Sequence, residues 1–207
     1  MLVLDDAYQH LAIHRDLNLL LIDAEHGLEN RNLIPYGNLR EPASQWIRAD
    51  AIIVTKANIS SPDAVSEILK KELKVTCPVF NFNFEVQGFY RLDGEDRQQI
   101  QHLAGKNLVT VSGIAQPDGF RKMLENLEGT LIGNLEFADH HDYSINDVHK
   151  ILKKQDELKP DYIVTTEKDA VKLRQFSELS HSIWILEIEV HPEESWNAFF
   201  DNFLDTL

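Results

Sequence analysis

Cysteine is nearly missing: Cys77 is the only one in 207 residues. A single thiol excludes an internal disulfide and a zinc site built on several cysteines, and it fits a reducing compartment. Long apolar runs are missing too. None exceeds four residues, as in Leu19-Leu20-Leu21-Ile22, whereas a membrane-spanning helix needs about 20. The amino end, MLVLDD, has no cationic stretch followed by an apolar core, so no signal peptide is expected. Basic residues are scarce, with 20 Lys and Arg against 34 Asp and Glu and a net charge of −14. That balance disfavours broad nucleic-acid binding, although a local site can oppose the global sign. What is present is an apolar fraction of 43%, enough for a true core rather than disorder. The length suits one ordinary domain or two small ones.

Apolar runs alternate with helical patterns. Leu17 to Ala24, Ala51 to Lys56, Asn107 to Ile114, Asp161 to Thr166 and Ile183 to Val190 read as strands buried on both faces of a parallel sheet. Ser61-Pro62-Asp63 is a helix start, with a hydroxyl cap, proline and then an acid. Val65, Ile68, Leu69 and Leu73 follow on one face. Further helices are expected from Pro117, from Ser144, where Asp147 completes a capping box, and from Ser195. Pro78 to Leu92 is aromatic and alternating, which predicts antiparallel pairing. The expected architecture is therefore α/β, with residues 1–92 forming one lobe plus a β connector and residues 93–207 a second, smaller α/β lobe.

Several groups could carry chemistry. Leu2-Val3-Leu4 is expected to be a buried strand that delivers Asp5 and Asp6 to its carboxyl end. Ligands of parallel sheets sit at that end, and a pair of carboxylates there suits Mg²⁺; the plainer reading is that both acids cap a turn. Gln9 and His10 follow, placed to touch substrate or to pack the next loop. Arg40-Glu41 could offer a bidentate phosphate ligand and an acid to orient a hydroxyl, or form a surface turn. Asp139-His140-His141 holds a histidine beside an acid, an arrangement suited to accepting a proton. Thr165 to Asp169 lies at a strand-to-helix junction. Lys168 there could meet an anion, and Thr166 could equally be an ordinary cap.

Taken together, these segments resemble one family. Asp5-Asp6-Ala7-Tyr8-Gln9-His10, Pro35-Tyr36-Gly37-Asn38-Leu39-Arg40-Glu41, Val54-Thr55-Lys56, Val111-Ser112-Gly113, Asp139-His140 and Thr166-Glu167-Lys168-Asp169-Ala170-Val171-Lys172 stand in the order seen in the tetraacyldisaccharide 4′-kinases of Gram-negative bacteria. The resemblance implies a P-loop-NTPase-like parallel sheet joined by a short β linker to a smaller α/β lobe. It implies an ATP- and Mg²⁺-dependent transfer of phosphoryl to the 4′-hydroxyl of a tetraacyl glucosamine disaccharide 1-phosphate in lipid A biosynthesis. The expected place of work is the inner face of the inner membrane, with the protein peripheral to it.

By that resemblance Asp139 and His140 are catalytic, and Asp5 and Asp6 hold the metal. Gln9, His10, Arg40 and Glu41 meet substrate, and Lys168 meets nucleotide. Two departures stand out. No G-x-x-x-x-G-K-[ST] string occurs, and Gly105-Lys106 is followed by Asn107. The family's phosphate-cradling loop lies upstream of its Asp-Asp motif, as do an acid that activates the sugar hydroxyl and a membrane-associating helix. The chain is therefore expected to be an incomplete kinase, inactive by itself. Ala7 also stands where the family has glycine, a strained choice if φ is positive there. Two other readings compete: a DHH-type phosphoesterase using Asp5, Asp6, Asp139, His140 and His141 around two metals, and a noncatalytic interaction domain.

Overall fold

In the computed structural model, residues 1–206 are described apart from 26, 27, 29, 38, 59–64 and 66. The expected helix start at Ser61-Pro62-Asp63, Asn38 of the Pro-x-Gly segment and the terminal Leu207 lie outside the described residues.

The apolar runs form the strands they predict. β1 is Leu19–Asp23 and β2 is Ala51–Thr55, paired in parallel with Leu19 opposite Ala51. β2 is buried along nearly its whole length, as expected of a strand covered on both faces. β3, Val79–Arg91, lies parallel to β2 at its start, Ile52 opposite Val79. Its far end pairs antiparallel with the two-residue β4, Arg97–Gln98. The antiparallel pairing expected of Pro78 to Leu92 is present, beside the parallel pairing with β2 at the strand's start.

Contacts divide the chain into two compact units, Met1–Phe84 with Val190–Leu207, and Glu85–Glu189. The lobes are expected to meet at 92/93; the compact units change at 84/85 and again at 189/190. The last helix, Glu194–Leu204, accounts for the second change. Its Trp196 stacks edge-on against Phe80 and Phe82, and Phe199 meets Phe80, so the aromatic side is turned onto the start of β3, which belongs to the first unit up to Phe84. The first unit's core gathers Ile22, Ala24, Ile52, Val54, Val65 and Leu69. A single π-helical turn, Ile68–Glu72, carries Leu69 into it.

In the second unit the strand order is β3-β8-β7-β5-β6. β5 is Asn107–Ser112, β6 Thr130–Glu136, β7 Tyr162–Thr166 and β8 Ile183–Pro192. β5 is parallel to both β6 and β7, and β7 is parallel to β8. The helices are α1 (Pro117–Asn126), α2 (Ile145–Leu158), α3 (Glu167–Leu173) and, in the first unit, α4 (Glu194–Leu204). The capping box at Ser144 and Asp147 forms as the sequence predicts. Val109, Val111, Val148, Ile151, Ile163 and Ile185 fill one side of this sheet, and Phe89, Leu108, Leu124 and Val164 the other.

The amino end corrects one expectation. Residues 1–4 form no strand, and Leu2 and Val3 are 85% and 78% exposed. A parallel strand needs a ladder neighbour, and among the described residues β1 pairs only with β2. Asp5 and Asp6 sit in an exposed turn instead. The left-handed residue there is Asp6, with φ 49°, so Ala7 carries no positive-φ strain.

Candidate functional site

Two groups of polar residues gather the predicted positions, one in each unit. In the first unit Arg40 reaches Asp6. Nη1 of Arg40 donates to both carboxylate oxygens, at 2.8 and 2.7 Å. That hydrogen bond raises the guanidinium's pKa above its ordinary value. Both side chains are open to solvent. The residue expected to hold a metal and the residue expected to hold a phosphate therefore hold each other. Asp5, Gln9 and His10 are exposed in the same stretch.

Glu41 has a different fate from Arg40. Its carboxylate accepts from Arg48 at 2.7 Å, half-buried. Arg48 in turn lies over the Tyr8 ring at 4.7 Å, and the Tyr8 hydroxyl donates to the Gln45 carbonyl. Glu41 is built into the packing of this unit. The loop leading to Arg40 closes on itself through Ile34 N–H to the Leu39 carbonyl and Gly37 N–H to the Leu33 carbonyl. Gly37 is obligatory there, because a Cβ would stand 2.3 Å from the Asn32 carbonyl oxygen.

A pairing the sequence does not announce joins the carboxyl ends of β1 and β2. Lys56 lies 2.8 Å from Asp23 and 3.2 Å from Glu25 with only 20% of its side chain exposed.

The second unit brings together the loops that leave the carboxyl ends of β5, β6 and β7. Ligands of parallel sheets bind at this end. Asp169, in the first turn of α3, is buried and takes three donors. They are the Gly113 N–H at 3.1 Å, the Tyr143 hydroxyl at 3.0 Å and the Thr166 hydroxyl at 2.8 Å. Burial, reinforced by the Asp169 charge, pushes the Tyr143 phenol far above its ordinary pKa. Thr166 caps α3 by accepting from the Asp169 N–H, so the plainer of the two readings of that junction holds for the threonine.

Asp139 and His140 lie on the loop after β6. Nε2 of His140 is 3.7 Å from Oδ2 of Asp139, and the imidazole is 74% exposed. Lys168, expected at nucleotide, donates to Oδ1 of Asp139 at 3.0 Å. That bond chiefly holds the Asp139 carboxyl below the usual carboxylate range. His140 has a left-handed backbone, with φ 58°. Its N–H donates to the Gly113 carbonyl at 3.1 Å.

His141 is set apart from its neighbour. It stacks on Phe137, with centroids 4.7 Å apart, and its Nε2 lies 3.1 Å from Oδ2 of the buried Asp147. Ser144 bonds the same oxygen through its N–H and its hydroxyl, and Lys150 bonds the other oxygen at 2.8 Å. Led by Lys150, these donors hold Asp147 far below the usual carboxylate range. Asp147 is legible in the sequence only as a capping acid, Tyr143 and Asp169 as core or cap residues, and Lys172 as part of a motif string.

Among the described residues no group of three or more His, Cys, Asp or Glu is placed to hold a metal ion. The two-metal phosphoesterase reading needs such a group.

Comparison with known proteins agrees on one family. The LpxK family, described as tetraacyldisaccharide-1-P 4′-kinase, matches residues 1–205. The tetraacyldisaccharide 4′-kinase of Bdellovibrio bacteriovorus is 36% identical over 190 residues, covering 92% of this chain and 56% of that one. The same enzyme of Syntrophus aciditrophicus is 34% identical over 206 residues, covering 95% of this chain and 55% of its own length. A crystal structure of LpxK from Aquifex aeolicus in complex with ATP matches with a TM-score of 0.64 at 26% identity, over 98% of this chain and 56% of that one. The chain spans about half the length of the curated relatives it matches. With a family match along almost every residue and an α/β fold shared with a solved member, this chain belongs to the tetraacyldisaccharide 4′-kinase family.

Proposed function

We propose that this chain carries part of the catalytic machinery of an ATP-dependent kinase acting on the 4′-hydroxyl of a tetraacyl glucosamine disaccharide 1-phosphate in lipid A biosynthesis. The observation that carries the reading is the Asp139–His140 pair. It is exposed at the carboxyl ends of parallel strands, with Lys168 keeping Asp139 ionised. Phosphoryl transfer is mostly positioning and charge stabilisation, with a base to take the hydroxyl proton. His140 accepts that proton, directly or through another acid. The Asp139 carboxylate favours the imidazolium that results. Lys168 serves by holding Asp139 rather than by touching nucleotide.

Arg40 is the exposed residue free to exchange partners, trading Asp6 for a substrate phosphate, while Glu41 keeps Arg48 in place. Gln9 and His10 lie close in sequence to Asp6 and face solvent, where substrate would meet them. Asp5 and Asp6 fit Mg²⁺ in one mode, in which one or two carboxylates bind and phosphate oxygens complete the shell. When bound, the ion neutralises charge on the phosphates. The ATP phosphates themselves need a Gly-rich loop ending in Lys-Ser/Thr. No such string occurs in these 207 residues, so we assign that cradle to further polypeptide and expect this chain alone to be inactive. We place the work at the inner face of the inner membrane, with membrane contact made by polypeptide outside these residues. No described helix is long and apolar enough to cross a membrane.

The test supplies Mg²⁺, labelled ATP and the acylated disaccharide 1-phosphate in detergent micelles. One sample holds the chain alone, and another a polypeptide in which it follows a segment bearing G-x-x-x-x-G-K-[ST]. Label at the 4′-position in the second sample only is expected. No transfer in either would overturn the kinase reading.

A further inference from the structure

We propose that Lys172, which bonds the His140 backbone carbonyl, is the positioning residue that sets where the His140 imidazole stands. The catalytic half of this proposal rests on the kinase reading above. His140 has a left-handed backbone at φ 58°. A residue with a β-carbon holds that conformation only where its surroundings over-determine it. Lys172 provides the constraint. Its ammonium donates to the His140 carbonyl at 2.7 Å, to the His141 carbonyl at 2.9 Å and to Oδ1 of Asp142 at 2.8 Å. An ammonium has three protons, so all are committed to this loop.

The other side of His140 is anchored by the same helix. The His140 N–H is held by the Gly113 carbonyl at 3.1 Å, and the Gly113 N–H is held by Asp169 of α3 at 3.1 Å. The peptide groups on both sides of His140 are thus tied to α3, one through Lys172 and one through Asp169 and Gly113. The ring itself is 74% exposed, with Asp139 3.7 Å away. Little about the ring fixes its direction, so the backbone decides it. Lys172 therefore acts through geometry: it places a proton acceptor whose usefulness falls steeply with displacement.

The experiment compares Lys172→Met and Lys172→Arg with the unsubstituted protein. In the 207-residue chain, NMR chemical shifts and scalar couplings report the His140 backbone, and thermal unfolding reports the fold. In the polypeptide completed with a Walker-type segment, kcat and KM for ATP are measured. For Lys172→Met the expected result is loss of the left-handed signature at His140 within a chain that still melts cooperatively. With it, kcat falls roughly tenfold or more while KM for ATP is unchanged. Lys172→Arg, with donors enough for the carbonyls, restores both. A left-handed His140 in the Met variant, or an unchanged kcat, would overturn the proposal. If Lys172→Met does not fold, Lys172→Gln supplies the same comparison, because its shorter, neutral side chain has two N–H donors and cannot hold both carbonyls and the Asp142 carboxylate. Absence of activity in the unsubstituted completed kinase would sink the kinase reading, while the NMR arm still decides the clamp.

Discussion

Nε2 of His141 stands 3.1 Å from Oδ2 of Asp147, six positions further along the chain. One carboxylate thereby serves two structures. It closes the capping box of α2 through Ser144, and it ties the loop bearing Asp139 and His140 to that helix. The His141 ring is stacked on Phe137, whereas its neighbour's is 74% exposed beside Asp139.

The charge on Asp147 is predicted to stabilise the fold in a defined pH window. Donors led by Lys150 depress its folded-state pKa. The stabilisation is therefore full above the unfolded-state value near ~3.9, and it is lost as pH falls toward the depressed folded value. Asp147→Asn is expected to cost about 1–3 kcal/mol at pH 7. The difference from wild type should shrink in urea titrations at pH 3. A gap independent of pH would contradict this account.

Gly113 is predicted to be crowded by even one added carbon. A Cβ would lie 3.0 Å from Oδ1 of Asp169, 3.1 Å from the Tyr143 hydroxyl and 3.3 Å from the His141 Cβ. Relief requires the buried Asp169 and Tyr143 and the half-buried His141 to give by a few tenths of an ångström, at about 1–3 kcal/mol. Gly113→Ala should lower the melting temperature and move the His141 and Tyr143 NMR signals. A variant with unaltered spectra would show that the junction has room.

Arg40 is predicted to matter for substrate and not for stability. Its pair with Asp6 is open to solvent, where ion pairs contribute little. Arg40→Ala should melt at the same temperature as wild type. In the completed kinase it should raise KM for the phosphorylated disaccharide. A large fall in melting temperature would assign Arg40 to the architecture instead.

Nucleotide binding by the isolated chain is predicted to be weak, since no G-x-x-x-x-G-K-[ST] string occurs in it and that loop supplies most phosphate contacts. Calorimetry with ATP and Mg²⁺ should give a dissociation constant far weaker than micromolar. Micromolar affinity would mean that other residues grip the phosphates.

Much of the fold is legible in the sequence. The runs at Ala51 to Thr55 and Tyr162 to Thr166 are apolar without alternation, and each is a buried parallel strand. Ser144 with Asp147 announced a helix start and made one. β6 carries no such signal, because Thr130–Glu136 is the last strand of its sheet order and is half exposed, so its pattern mixes polar and apolar residues. Leu2-Val3-Leu4 misled in the opposite direction. Apolar character marks a candidate strand, but pairing makes one, and no ladder partner meets that segment among the described residues.

The order of residues by itself determined the α/β class, the principal strands, the helix caps and the family, since each rests on local periodicity or on a motif string. Tertiary structure alone decided which partner each polar group took. It gave Asp6 to Arg40, Glu41 to Arg48, Lys168 to Asp139, His141 to Asp147 and Lys172 to the carbonyls around His140. Several of these pairs lie some thirty positions apart. Hydrogen bonds and ion pairs depend on ångström-scale separation, and separation across a fold is set by how strands and helices pack, which sequence spacing does not encode.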